Sequence, residues 1–271
     1  MSIWLRTAET GFQMGEPPSI LEWMRPREYD ILHELEANYW WHIGMRYIMD
    51  QILLPTVDAG SRLLDVGCGT GANLRKMSRH CQTWGIDYHQ SAVDYSRGLG
   101  LENIEQGDAT RLPYPEGMFT HVMCCEVLQN LEEDLAGMQE AYRVLKPGGF
   151  YYITEQAYPI LRCEHDISQE AVRRYTRRRL TGFLNKAGFG IERFTFANTI
   201  LFPIAAAVRL SSRVLHPPEK VNPEESRSDV KAVPGPVNSV LAEILKLEGK
   251  WIGRGRDLPY GLTIVTLARK P

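Results

Sequence analysis

The stretch that decides the fold is LLDVGCGTG, residues 63–71. Apolar residues at 62–66 predict a buried strand, and residues 72–80 predict a helix after it. Gly67, Gly69 and Gly71 lie between the two at alternate positions. Glycine permits a sharp turn and close approach of a ligand, and free amides at a helix start can face an acceptor-rich ligand. The stretch therefore predicts a strand, a ligand-binding bend and a helix.

The spacing of these glycines differs from that of a dinucleotide loop. Such a loop usually reads GxGxxG and holds a pyrophosphate at the helix start, whereas here the third glycine comes one residue early. Asp65 also stands two residues before Gly67, where its carboxylate would repel a pyrophosphate. We expect instead a ligand with a positive charge, carried by an amino group or a sulfonium.

Two further carboxylates follow predicted strands. Asp87 ends a strand at 82–87, 20 residues after Gly67, and Asp108 follows a strand at 103–106. A carboxylate at the first place can accept hydrogen bonds from both ribose hydroxyls, and Asp108 can accept one from an adenine amino group. Ligands of open α/β sheets bind beyond the carboxyl ends of the strands, so the three acids together predict one ligand site. A plain glycine turn with solvated acids is the alternative.

Strands and helices alternate around the bend, which predicts an α/β, Rossmann-like parallel sheet covered on both faces. The predicted strands are 62–66, 82–87, 103–106, 119–125, 150–154, 191–197 and 261–268. The predicted helices are 27–54, 72–80, 89–99, 133–145, 176–187, 199–215 and 237–252. We expect a helical N-terminal cap or lid at 1–58, a core at 59–199 and 259–271, and a helical insertion at 200–258 with a flexible loop at 216–236.

Composition narrows the class of protein. The chain has 271 residues, 44% of them hydrophobic, which suits a globular fold, and its net charge of −2 provides no global basic field for nucleic acid. Five cysteines without a CxxC pair favour reduced thiols in the cytoplasm and no metal site. No apolar run reaches the roughly 18 to 20 residues of a membrane span, and residues 1–12 lack a signal-peptide pattern.

Four motifs in order resemble the class I S-adenosylmethionine-dependent methyltransferases, in particular their type 11 members. They are LLDVGCGTG at 63–71, GID at 85–87, GDA at 107–109 and RVLKPGG at 143–149. The resemblance implies a seven-stranded sheet with an antiparallel last strand, which GLTIVTLA at 261–268 fits. It also implies S-adenosylmethionine as the methyl donor and S-adenosylhomocysteine as the product.

The resemblance assigns roles to residues of this chain. Gly67, Cys68, Gly69 and Gly71 would line the cofactor, Asp65 and Glu126 would lie near its methionine part, and Asp87 would hold the ribose. Tyr88, Asp108 and Ala109 would contact the adenine. Independently of the resemblance, the aromatic residues Tyr39, Trp40 and Trp41 are candidates for a helical lid over the cofactor, with anchors of the first helix to the core as the alternative.

The flanks are similar to a bacterial subgroup often associated with the modification of sugars, polysaccharides or secondary metabolites. The similarity lies at residues 39–41, 164–166, 173–175 and 201–203. The chain departs from the family pattern at Thr120-His121, at Gln129-Asn130 and at Ala171, so a histidine base at the last two places is not expected. We expect a small-molecule acceptor, whose identity and reacting atom the sequence does not specify.

A general base would assist if the acceptor is a hydroxyl or an ammonium group. The candidates are His165, which follows the fifth strand beside Asp166, with Glu126 and Tyr158 as helpers. The alternative is that His165 and Asp166 cap a helix or a loop. With or without a base, alignment of the methyl donor and the acceptor contributes more than proton transfer does, since it can lower the activation barrier by roughly 7–11 kcal/mol.

Other functions remain open from the sequence. The basic run at 173–179 could bind RNA or a protein substrate. Alternatively, it could form the polar face of a helix, with its arginines paired to acidic side chains. Another alternative is a binding protein that has this fold but does not catalyse methyl transfer. The apolar helix at 199–215 could contact a membrane surface, cap the pocket or form a homodimer face.

Overall fold

The computed structural model describes residues 35–215 and 233–271. The first 34 residues of the predicted cap and residues 216–232 of the predicted loop lie outside this description. The strands are β1 (Arg62–Val66), β2 (Gln82–Asp87), β3 (Ile104–Gln106), β4 (Phe119–Cys125), β5 (Leu145–Gln156), β6 (Gly190–Ala197) and β7 (Thr263–Arg269). The helices are α1 (Trp40–Ile52), α2 (Ala72–Met77), α3 (Gln90–Gly98), α4 (Asp134–Val144), α5 (Glu164–Ser168), α6 (Arg177–Lys186), α7 (Phe202–Leu215) and α8 (Gly235–Gly253).

The seven strands form one sheet in the order β3-β2-β1-β4-β5-β7-β6. The first five pair in parallel, whereas β7 runs antiparallel to both β5 and β6. The predicted α/β, Rossmann-like sheet with an antiparallel last strand is therefore confirmed. The strand order reverses at β1, between β2 and β4, and ligands of such sheets bind at this switch point.

Two apolar clusters cover the two faces of the sheet, because neighbouring strand residues point to opposite sides. Leu64 and Tyr151 belong to the cluster that includes α4 and α6, whereas Leu63 and Tyr152 belong to the cluster that includes α1, α2 and α8. The N-terminal helix and the helix from the predicted insertion therefore lie on the same face. The predicted domain boundaries themselves stay a prediction.

The helix predicted at 27–54 agrees with the structure at 40–52 but is interrupted in its described part, because the backbone turns at 37–39 and α1 begins at Trp40. The reason is a cap from a distant segment. The side chain of Asn238 in α8 accepts a hydrogen bond from the Trp40 amide at 2.9 Å and donates one to the Asn38 carbonyl at 2.8 Å. A capping oxygen fixes the first turn of a helix, and here it comes from 198 residues away.

Candidate functional site

A cavity of about 580 Å³ opens at the carboxyl ends of β1, β2, β4 and β5. Helix α1 and the start of α7 form its other walls. Nine of the eleven residues predicted to bind the cofactor line it: Tyr39, Gly67, Cys68, Gly69, Asp87, Tyr88, Asp108, Ala109 and Glu126. The sheet topology has thus brought most of the predicted residues to one place.

The glycine bend forms one wall of the cavity. Gly67 and Gly69 have φ angles of 73° and 54°, in the left-handed region that favours glycine. The amides of Gly67 and Cys68 both donate to the Ile86 carbonyl, at 2.8 and 3.1 Å, which ties the bend to the end of β2. A Cβ at Gly67 would overlap the Cγ2 atom of Val127.

Gly71 is placed differently from its prediction, because it does not line the cavity. Its φ angle is 87°, and a Cβ there would lie 2.6 Å from the hydroxyl of Ser96 and 3.0 Å from Leu101. Gly71 is therefore required for close packing of the bend against α3, not for the approach of a ligand. Its sequence signal cannot distinguish these two reasons.

Asp87 is the most strongly fixed acid of the site. One carboxylate oxygen accepts from the Gly69 amide at 2.8 Å, and the other accepts from the His89 amide at 3.0 Å. A carboxylate can accept several hydrogen bonds, so these two do not exclude a ligand that donates to Asp87. The residue joins the glycine bend to the strand end where a ribose is expected.

Asp65 does not line the cavity but is buried in β1, next to the bend. Burial, and then the negative charges of Asp87 and Glu36, raise the pKa of Asp65 well above its usual range. Glu36 lines the cavity, and the Thr70 hydroxyl donates to its carboxylate. The raised pKa favours the neutral form of Asp65, so the negative charge at this end of the cavity belongs to Asp87 and Glu36, and it favours a cation.

The three residues predicted to contact the adenine line the cavity. Tyr88 is 39% exposed and follows β2, while Asp108 and Ala109 follow β3. The Asp108 carboxylate accepts from the Thr110 amide at 2.7 Å and from its hydroxyl at 2.8 Å. These bonds fix the turn that carries the predicted adenine partner.

Helix α1 supplies a wall that sequence reasoning found only in part. Tyr39, Trp40 and Trp41 line the cavity, as do His42 and Arg46, to which the sequence had assigned no role. Burial and the neighbouring Arg46 lower the pKa of His42 to about 3, so this imidazole is neutral. The Nη2 atom of Arg46 donates to the Glu36 carbonyl at 2.5 Å, whereas its buried Nη1 has no protein partner.

Both predicted catalytic residues line the cavity. Glu126 follows β4 with a φ angle of 61°, and burial, opposed by the charge of Arg174, raises the pKa of its carboxyl to about 7. His165 lies in the short helix α5. Their placement fits the predicted roles without testing them.

Asp166, the sequence neighbour of His165, and Tyr158, one of its two predicted helpers, do not line the cavity. Asp166 is buried, caps α5 through the Cys163 amide at 2.8 Å, and pairs with Arg174 at 2.6 and 2.8 Å. Its carboxylate is thus committed to the helix and to an ion pair. Tyr158 does not line the cavity, because its ring stacks on Phe196 at 5.9 Å and against Phe202 at 5.4 Å.

The basic run at 173–179 makes contacts within the fold. Arg174 is fully buried in its pair with Asp166, and Arg179 pairs with Asp134 at 3.0 Å. Arg173 donates to the Leu131 and Glu132 carbonyls. Such contacts are expected if the arginines pair with groups of the fold, which was the alternative to their binding a nucleic acid.

Helix α7 has two different apolar faces. Leu201, Ala205 and Arg209 line the cavity at four-residue spacing, while Ile204 and Val208 are 70% and 61% exposed. The helix therefore covers the cavity, as one of the sequence alternatives expected, and membrane contact through its outer face stays a prediction. Among the helices of residues 35–215 and 233–271, none has the length and apolar character of a membrane span.

Comparison with known proteins identifies the central part of the chain. The model of a family described as a methyltransferase domain matches residues 64–153. A demethylmenaquinone methyltransferase of Staphylococcus epidermidis is 29% identical over 143 residues, which cover 50% of this chain and 58% of the relative. The chain thus matches little more than half the length of this relative.

Solved structures agree on the fold over most of the chain. A Haloferax volcanii protein, described as a putative methyltransferase in complex with its Trm112 activator, has a TM-score of 0.58 at 16% identity, with 91% of this chain and 94% of that chain covered. The [4+2]-cyclase SpnF has a TM-score of 0.57 at 22% identity, with 94% and 97% covered. At these identities the likeness concerns the fold alone. The matched family shows that residues 64–153 of this chain are a methyltransferase domain, and the solved structures agree with its fold.

Proposed function

We propose that this protein binds S-adenosylmethionine in the described cavity and transfers its methyl group to a small molecule. One observation carries the proposal. The glycine bend and the Asp87 carboxylate, joined by the Gly69 amide at 2.8 Å, meet the predicted adenine-side residues in a single cavity. A nucleoside with a positively charged tail suits this arrangement of backbone, carboxylates and volume.

The residues present fit the cofactor at both ends. Asp87 would accept hydrogen bonds from the ribose hydroxyls, and Tyr88 would lie beside the adenine. At the other end, the unpartnered Nη1 of Arg46 is a buried cation donor that suits a carboxylate. When bound, the cofactor supplies an electrophilic methyl group on a sulfonium. The negative potential of Asp87 and Glu36 would favour that positive charge.

The chain itself would position the acceptor and keep water away. The indoles of Trp40 and Trp41 and the side chain of Leu201 give the cavity apolar walls. We assign Glu126 and His165 as candidate proton acceptors, since both line the cavity and Glu126 has a pKa of about 7. His165 would act without Asp166, which is held by Arg174.

We propose a small-molecule acceptor because the cavity is enclosed between the sheet edge, α1 and α7. The similarity to a demethylmenaquinone methyltransferase supports this class of acceptor. It does not extend to the quinone, because the matched family domain ends at residue 153, before α5 and α7. All five cysteines are free, which supports the proposal of a reducing compartment such as the cytoplasm.

The test uses S-adenosylmethionine with a radioactive methyl group and a cell extract separated into small molecules, RNA and protein. We expect label in the small-molecule fraction, and a loss of this transfer in Asp87→Ala but not in Asp94→Ala, an exposed carboxylate of α3. Label found only in RNA or protein would support the alternative use of the basic run. Donor binding without any transfer would support the non-catalytic alternative.

A further inference from the structure

The last helix, α8, carries a stripe of apolar side chains on its outer surface. Its members, here called the α8 seam, are Val237, Val240, Ile244, Leu247 and Trp251. Val237, Val240, Leu247 and Trp251 are 49%, 59%, 56% and 43% exposed, and Ile244 is partly exposed. Single exposed apolar residues are ordinary on a protein surface, but five on one side of a helix indicate an interaction site.

The spacing of the α8 seam is that of a coiled coil. Its members follow one another at intervals of three, four, three and four residues. These are the a and d positions of successive heptads, which form a narrow stripe that fits a second helix. At 1.5 Å per residue, the stripe is about 21 Å long. The pattern therefore indicates a helix as the partner of α8.

A different side of α8 packs on the rest of the protein. Its buried residues include Ala242, Leu245, Gly249 and Ile252. A Cβ at Gly249 would lie 2.6 Å from the ring of Tyr47, so α8 and α1 are in close contact there. With 3.6 residues per turn, the centre of the α8 seam lies roughly 130° around the helix from the centre of this buried side. The seam is thus a second apolar surface and not the edge of the core.

The α8 seam is complementary to a second copy of itself. If the two helices run antiparallel, Ile244 of one copy can face Leu247 of the other. The same register sets Val240 against Trp251, which matches a small side chain with a large one. A twofold axis repeats both contacts, since each surface of such an interface meets its own copy. The seam therefore forms four successive apolar layers.

The charges beside the α8 seam favour the same arrangement. Glu243 and Lys250 are exposed, one heptad apart, at the flanking position where coiled coils form ion pairs between helices. The antiparallel register brings Glu243 of one copy beside Lys250 of the other, twice. A parallel pair would instead bring Glu243 towards Glu248, a like charge. Within α8, Glu243 pairs with Lys246 at 2.7 Å, and such an exposed pair is weak enough to exchange.

We propose that two copies of this chain associate through their α8 seams, with the two helices antiparallel and related by a twofold axis. A membrane surface is the alternative occupant, because Lys250 and Arg254 are exposed beside the seam. The narrow heptad stripe and the acidic Glu243 next to it favour a second helix over an anionic bilayer. This proposal does not depend on the proposed function, since it concerns a surface outside the cavity.

Analytical ultracentrifugation of the full chain over a range of concentrations measures the association. We expect a monomer–dimer equilibrium for the wild type. Leu247→Glu should weaken it at least about a hundredfold, because each copy would bury a carboxylate in an apolar layer. Ile204→Glu is the matched control, since Ile204 is exposed on α7, and it should associate like the wild type. A wild type that is monomeric at its highest soluble concentration, or a dimer that Leu247→Glu leaves intact, would overturn the proposal.

Charge reversal tests the orientation of the two helices. Glu243→Lys and Lys250→Glu should each weaken the association by about tenfold, because each creates two contacts between like charges. The double variant Glu243→Lys/Lys250→Glu restores opposite charges and should associate within about threefold of the wild type. Thermal unfolding followed by circular dichroism checks that all variants fold. A double variant that associates no more tightly than the single variants contradicts the antiparallel register.

Sedimentation with vesicles of phosphatidylcholine and phosphatidylserine examines the alternative occupant. We expect the protein to stay in the supernatant as a dimer at concentrations where it dimerises without vesicles. A monomer that sediments with the vesicles, and loses this binding in Leu247→Glu but not in Ile204→Glu, would assign the α8 seam to the membrane. That outcome would also overturn the proposal.

Discussion

Replacement of Gly67 by alanine tests how the glycine bend is built. The φ angle of 73° places the new Cβ in the left-handed region, at a cost of about 1–2 kcal/mol. The Cβ would also overlap Val127 Cγ2 and lie 3.1 Å from its Cγ1, and such overpacking costs typically about 1–3 kcal/mol. We therefore expect Gly67→Ala to lower the free energy of unfolding by roughly 2–5 kcal/mol.

Urea unfolding followed by circular dichroism measures this change. Gly100→Ala is the matched control, because Gly100 has a φ angle of 81° but no atom within 4 Å of the new Cβ, so it carries the backbone cost alone. The double variant Gly67→Ala/Val127→Ala should regain most of the stability lost to the clash, but none of the stability lost to the left-handed backbone. If Gly67→Ala is no more destabilising than Gly100→Ala, the described contact between the bend and Val127 is wrong.

Three further predictions concern buried polar groups. The raised pKa of Glu126 means that the folded state binds the carboxyl proton more tightly than the unfolded state does. The stabilisation from this proton is therefore complete below pH 4.5, and it falls by up to roughly 3 kcal/mol as the pH rises to about 7. Glu126→Gln should flatten that part of the curve of stability against pH, and an unchanged slope would contradict the raised pKa. Arg174→Ala leaves Asp166 buried and unpaired, and should cost about 3–5 kcal/mol in urea unfolding, against less than 1 kcal/mol if the pair were solvated. Asn238→Ala removes the cap of α1 and should cost about 0.5–2 kcal/mol, whereas a neutral effect would show that the contact with the Trp40 amide contributes nothing.

The sequence was sufficient for the sheet and for part of the site, because those signals are local. Alternating strands and helices predict a parallel sheet, and its topology then brings Asp87 and Asp108 to one edge beside Gly67. Local signals cannot say why a residue is needed, however. Gly71 belongs to the same motif, yet it is needed for packing against Ser96. Asp65 is buried in β1 and does not line the cavity, and its raised pKa favours the neutral form.

The remaining site residues depend on contacts between distant segments. Glu36 meets Thr70 across 34 residues, and Asn238 caps α1 across 198 residues, so neither contact has a sequence signature. Glu170 and Asn198 line the cavity with positive φ angles, and the sequence carries no signal for either feature. Asp166 agrees with the sequence alternative of a helix cap, since it caps α5, but its ion pair with Arg174 has no sequence signature.

Calorimetric titration with S-adenosylhomocysteine tests the central claim most directly, because it measures cofactor binding without knowledge of the acceptor. We expect saturable one-to-one binding to the wild type and to Asp94→Ala. Asp87→Ala should bind at least about a hundredfold more weakly, since it loses two charge-assisted hydrogen bonds to the ribose and the anchor of the Gly69 amide. Equal affinity in Asp87→Ala and the wild type, or no binding to either, would contradict a nucleoside seated on this glycine bend.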